Sequence, residues 1–136
     1  MMPDASNYLQ EKVLKAIAQG QSFSVANVYV GLLLTPSGAY APGREPTDAN
    51  YARQKVTLSS PKYAKDDPTC MEATNPSAVS FPVAQYAWGT LEYYALFDGA
   101  GEDANMLFSG KLQTPIKVGR WGTAVTPAGS LSVRVR

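Results

Sequence analysis

The first apolar positions of the chain recur every three or four residues, which is the spacing of one helical face. Those that share this face are Leu9, Val13, Ala16 and Ile17. Asp4 or Ser6 is placed to cap the start, and Gly20 stands where a left-handed residue closes a helix. The pattern predicts a helix over about residues 6–19, with an apolar stripe that docks on the rest of the fold.

After Gly20 the spacing of apolar positions changes from helical to alternating, and alternation is the pattern of a strand. The first such run places Val28, Val30, Leu32 and Leu34 on one face. Further short strands are predicted at residues 51–58, 78–84, 90–97, 106–112, 116–118, 124–126 and 131–135. Turn-forming residues separate them, as in antiparallel folds. We therefore predict a mainly β fold, an antiparallel β-sandwich or jelly-roll-like barrel with one N-terminal α-helix.

Two proline-rich segments interrupt this pattern, at residues 36–50 and 61–77. Proline opposes both helices and sheet ladders, and loops of this length are usually functional. At 136 residues the chain has the length of one domain. We expect a single domain over 1–136, with the sandwich over about 25–136 and long loops at 36–50 and 61–77.

The amino-acid composition argues against several classes of function. Twelve basic and eleven acidic residues give a net charge of +1, too little to attract nucleic acid. No run approaches the roughly 20 apolar residues of a membrane span, and the N-terminus lacks the apolar core of a signal peptide, so we expect no membrane partner. There is one cysteine, Cys70, and no histidine, which excludes the usual zinc sites and catalytic triads. We predict no cofactor, no metal and no catalytic residue.

The stretch Asp98 to Ala104 fits the loose pattern Gly-x-Gly-x-x-Ala of dinucleotide-binding loops. Such a loop must open a helix, whose free amide groups hold the phosphates. The residues after it alternate like a strand, so we interpret the segment as a hairpin whose glycines supply positive φ angles. Its clustered acids are interpreted as a solvated turn rather than a calcium site.

Eight tyrosines and two tryptophans are many amphipathic rings for a chain of this size. Most are expected to pack in the core or on sheet faces, but such rings also favour protein interfaces and stacking on sugars. Tyrosines together with Trp88 or Trp121 leave open a carbohydrate-binding module. An enzyme using Asp66, Asp67 and Glu72 for glycoside cleavage is a further alternative.

Several stretches together resemble a family of small tailed-bacteriophage virion proteins often labelled tail-fibre proteins. They are NYLQEKVLKAIAQGQSF, VYVGLLLTPSG, YARQKV, WGTLEYYALFD, NMLFSGKLQTPIKV and the terminal GSLSVRV. The similarity runs in the same order over most of the chain, excluding the two long loops. It implies a non-enzymatic structural component of the virion, made in the bacterial host cytoplasm.

A small domain without repeats cannot form a fibre shaft. We therefore expect a capsid decoration or cement protein that bridges neighbouring capsid subunits in many copies, with a tail-fibre or tail-tip module as the alternative. Its expected partners are phage capsid or tail proteins and further copies of itself on the particle. The residues predicted to contact partners are Tyr8, Tyr40, Arg44, Tyr63 and Lys65.

Overall fold

A computed structural model describes residues 5–35 and 43–135. The helix is α1 (Asn7–Gln19). The strands are β1 (Val28–Leu33), β2 (Gln54–Val56), β3 (Lys62–Tyr63), β4 (Met71–Thr74), β5 (Val79–Ser80), β6 (Gly89–Phe97), β7 (Met106–Val118), β8 (Val125–Thr126) and β9 (Ser132–Val135). No helix in these two ranges is long and apolar enough to cross a bilayer.

The strands form three antiparallel sheets, with orders β2-β1-β6-β7, β3-β4-β9 and β5-β8. One apolar core takes side chains from all three, among them Val30, Val79 and Val133. The outer strands of the largest sheet, β2 and β7, do not pair with each other. The mainly β prediction with one N-terminal helix is confirmed, and within the described residues the sheets form a sandwich-like arrangement rather than a closed barrel.

Strand β1 pairs with a strand at each edge, and its last four residues are buried on both faces of the sheet. Val30 and Leu32 belong to the main core, as the alternation predicted, while Leu33 packs with Ala95 and Phe97 in a second cluster on the opposite face. Burying both faces of one strand anchors the sheet and gives a rigid base for the loops that cross it.

Helix α1 has the predicted ends. The Ser6 side chain accepts a hydrogen bond from the Leu9 amide at 3.1 Å, and Gly20 closes the helix at φ 66°. The predicted docking of the apolar stripe is only partly right: Leu9 packs against the core, but Ile17 is 78% exposed. The start of the helix is tied to β7, because the Ser6 amide donates a hydrogen bond to the Leu107 carbonyl at 3.0 Å.

The segment 61–77, predicted as a loop, contains the short strands β3 and β4. Two predicted strands, 106–112 and 116–118, are instead one strand, β7, that continues through Pro115. Its pairing with β6 shifts register between Leu91 and Tyr93, opposite the proline. An irregularity on an edge strand is where a residue without an amide donor is tolerated.

The Gly-rich stretch is a hairpin, as predicted, because Phe97 pairs with Met106 on the strands at either side of it. Asp98 closes the turn by accepting hydrogen bonds from the Asn105 amide at 2.7 Å and the Asn105 side chain at 3.1 Å. The expected positive φ at the turn glycines is wrong. In the ranges that are described, Gly20, Gly89 and Gly129 are the glycines that adopt it.

Candidate functional site

The residues from 43 to 53 run across β1 and are held there by a partly buried network. Gly31 makes the close approach possible, since a Cβ at that position would lie 2.7 Å from Oε2 of Glu45 and 3.0 Å from the Tyr51 hydroxyl. Tyr51 donates its hydroxyl proton to Glu45 and accepts a hydrogen bond from the Leu32 amide at 3.0 Å. The loop is thereby fixed to the central sheet.

Arg53 completes this network. Its guanidinium binds both carboxylate oxygens of Glu45, at 2.7 and 3.2 Å, and lies 3.5 Å from the ring centroid of Phe97. Burial and the negative charge of Glu45 raise the pKa of the Tyr51 hydroxyl well above its ordinary value. Glu45 is thus paired with Arg53, and the raised pKa keeps Tyr51 a neutral phenol, so the network acts as a structural brace.

Asp48 connects the braced loop to a second segment almost forty residues later. Its Oδ2 accepts hydrogen bonds from the amides of Gln85 at 2.7 Å and Tyr86 at 3.1 Å, and from Nε1 of Trp88 at 2.9 Å. Burial on its own would raise the pKa of this carboxyl, but these bonds and one from the Asn50 amide outweigh it and lower the pKa to about 2. Asp48 therefore fixes the backbone that carries Tyr86.

Two exposed aromatic rings flank a guanidinium at this place. Tyr86 is 61% exposed and Trp121 is 62% exposed. The Arg120 guanidinium carbon lies 5.9 Å from the Tyr86 ring centroid and 5.0 Å from that of Trp121, within cation–π range. We call Tyr86, Arg120 and Trp121 the aromatic platform.

The backbone of Trp121 adopts φ 67°, and among the described non-glycine residues it is the one with positive φ. Its amide donates to the Ala84 carbonyl at 2.8 Å, and the next amide, of Gly122, donates to the Gly119 carbonyl at 2.9 Å. A bulky residue in this conformation is unusual and is retained only where its surroundings enforce it. The hydrogen bonds at 84 and 119–122 supply that enforcement.

An open groove of about 490 Å³ begins at the Tyr86 side of the platform. Polar and charged side chains contribute to its wall, among them Arg44, Thr47 and Asp48. Trp88 also lines it, although this second tryptophan is only 4% exposed. The groove and the platform together form the candidate binding site.

Of the residues predicted to contact partners, Arg44 is the one that lines this groove. Tyr8 is half-buried on the first turn of α1, Tyr63 is 68% exposed on β3, and Lys65 is exposed just beyond that strand. Tyr40 lies outside the described residues. The structure places the four described residues on three separate parts of the fold rather than at one site.

Two of the three carboxylates considered for glycoside cleavage, Asp66 and Glu72, pair with one arginine. Arg134 on β9 forms ion pairs with Asp66 at 3.0 Å and with Glu72. Its hydrogen bonds lower the pKa of the Asp66 carboxyl. A glycosidase needs one carboxyl held protonated near neutrality, whereas the hydrogen bonds from Arg134 favour the ionised form of Asp66.

Sequence reasoning named Tyr86 and Trp121 as amphipathic rings but missed Asp48 and Arg120. Asp48 lay within a predicted loop, and its partners at 85–88 are remote in sequence. Arg120 gave no signal, because its role depends on where the two rings come together in space.

Comparison with known proteins gives one family match. The model of the family described as Podophage GP4 fiber I protein gp80 matches residues 4–134. No curated protein matches the chain.

Proposed function

Because the chain belongs to the Podophage GP4 fiber I protein gp80 family, we propose that it is a non-enzymatic structural protein built into the fibre apparatus of a podophage virion. The family consists of phage fibre proteins, and membership makes the chain a structural virion component that interacts with other virion proteins. The finer assignment to the fibre apparatus is supported by the family being one of fibre proteins.

The observation that carries the proposal is the extent of the match, which runs from residue 4 to residue 134. It includes the helix and every strand rather than one segment, so the whole arrangement is the unit that the family shares. A function that depends on one loop alone is disfavoured, and assembly through the surface of the whole domain is favoured.

The exposed face of α1 is proposed as one assembly contact. Leu14 is 64% exposed and Ile17 is 78% exposed, and large apolar side chains at one surface favour protein partners. The last turns of the helix lie beyond its attachment to β7 and are free to enter a groove on a partner. Contacts through Tyr8, Arg44, Tyr63 and Lys65 remain part of this proposal.

Capsid decoration stays a prediction, and labelling of intact particles separates it from the fibre role. Gold-conjugated antibody against the protein is expected to mark the tail end of purified virions. A uniform signal over the head would contradict the fibre role and indicate capsid decoration instead. Particles that carry no signal, although the protein is present in the infected cell, would contradict both.

A helix variant tests the proposed contact. Replacing both Leu14 and Ile17 by serine removes two exposed apolar side chains without opening a core cavity, so the fold should persist. Burying such a side chain at an interface contributes about 1.5–3 kcal/mol, so incorporation into particles should fall at least about tenfold. The control is Ala18→Ser, at an exposed position of the same helix. If both variants were incorporated equally well, α1 would not be part of the assembly surface.

A further inference from the structure

The aromatic platform has the properties of a ligand site rather than of ordinary surface. Trp88 shows what packing does with a tryptophan in this fold: its ring is buried and its indole nitrogen bonds Asp48. Trp121 is 62% exposed and sits on a left-handed backbone that a bulky residue rarely adopts. Strain of this kind persists where the surrounding structure enforces it, and it is concentrated at functional sites.

The backbone that carries each ring of the platform is held in place by hydrogen bonds within the protein. The Tyr86 amide and neighbouring groups donate hydrogen bonds to Asp48, which fixes the backbone of Tyr86. The Trp121 amide donates to the Ala84 carbonyl, which fixes the backbone of Trp121. Arg120 lies between the rings and adds a cation–π contact to each. Preorganised aromatic side chains lose little conformational entropy on binding, which lowers the cost of recognition.

We propose that the platform and its groove bind a saccharide chain, with sugar rings stacked on Trp121 and Tyr86. The C–H face of a pyranose packs on an electron-rich aromatic face, and both rings are more than half exposed here. Within residues 5–35 and 43–135, Arg120 forms no ion pair and the Tyr86 hydroxyl no hydrogen bond, so both are available to sugar hydroxyl or carboxylate oxygens. This activity goes beyond the proposed structural role and does not depend on where the protein sits on the particle.

The groove favours a saccharide over an apolar ligand. Its volume of about 490 Å³ is in the range of small-molecule sites, but its wall includes Arg44, Thr47 and Asp48. An apolar ligand would leave the side chains of Arg44 and Thr47 desolvated without partners, at a cost in binding free energy. A polyhydroxylated chain that is stacked on the two rings can extend into the groove and form hydrogen bonds with the polar side chains of its wall.

The test is binding of the full chain to an array of purified bacterial surface polysaccharides, with neutral and uronic-acid repeats as separate arms. Wild-type protein should bind at least one of them saturably, and Trp121→Ala and Tyr86→Ala should each weaken binding at least about tenfold. Tyr63→Ala is the matched control, since Tyr63 is similarly exposed but lies on β3 rather than on the platform, and its loss should leave glycan binding unchanged.

Spectroscopy adds a readout inside the same molecule. The two tryptophans give two indole N–H resonances, and the bound polysaccharide should shift that of exposed Trp121 while that of buried Trp88 stays in place. Wild-type protein that binds no array glycan at about 1 mM would overturn the proposal. So would binding that both platform variants retain. If glycans are ignored but Trp121→Ala abolishes incorporation into particles, the platform is a protein contact and the saccharide assignment is wrong.

Discussion

Replacing Trp121 by glycine and, separately, by alanine tests whether the platform rests on a strained backbone. Both variants lose the indole ring and the same half-buried surface, so the comparison isolates the backbone. At φ 67° a residue with a Cβ is strained by about 1–2 kcal/mol, which glycine relieves. Glycine also loses more entropy on folding, by about 0.4–1 kcal/mol. Trp121→Gly should therefore be more stable than Trp121→Ala by about 1 kcal/mol.

Equilibrium urea denaturation measures this difference. With a urea slope of about 2 kcal/mol/M, the unfolding midpoint of the glycine variant should lie about 0.5 M above that of the alanine variant. Thr123 provides the control pair, since it is exposed nearby and its φ is not positive. There alanine should be the more stable residue, by about 0.4–1 kcal/mol. An alanine variant at 121 that matches or exceeds the glycine variant would refute the strain argument.

Two further predictions concern the support of the fold and of the site. Gly110→Ala should destabilise the protein by about 1–3 kcal/mol in urea unfolding, because its Cβ would lie 2.6–2.9 Å from the Tyr94 ring and hydroxyl. Gly119→Ala is the control and should not destabilise the protein, because nothing lies within 4 Å of the added Cβ. Equal destabilisation by the two substitutions would contradict the packing argument. The pKa of Asp48 is lowered from 3.8 to about 2, so its stabilisation is complete above pH 3.8 and is lost as the pH falls toward 2. The difference in unfolding midpoint between wild type and Asp48→Asn should therefore disappear as the pH falls from 3.8 to about 2. A difference that does not change with pH would contradict the stabilising role of the Asp48 carboxylate.

Local elements with local causes could be predicted from the sequence. Ser6 and Gly20 bound the helix because a cap acts within a few residues of its own position. The hairpin after Phe97 was predicted because a strand pattern follows the turn, which a cofactor loop would not allow. The alternation of β1 likewise placed Val30 and Leu32 in the core.

Errors arose where a distant partner decides the outcome. Residues 61–77 looked like a loop, yet β4 forms there because β9, about sixty residues later, pairs with it. Ile17 fits an amphipathic stripe but is 78% exposed, whereas Leu9 on the same stripe packs against the core. A periodic pattern shows which face of an element is apolar and cannot show whether a neighbour reaches it.

The chain by itself determined the fold class, the helix with its ends, the absence of histidine chemistry and the surplus of aromatic rings, because these follow from composition and from interactions between near neighbours. Only the tertiary structure decided that Asp48 fixes the segment carrying Tyr86, and that Arg120 and the strained Trp121 lie beside Tyr86. The physical reason is that a site depends on distances between segments far apart along the chain, and those distances are set by the packing of the whole core.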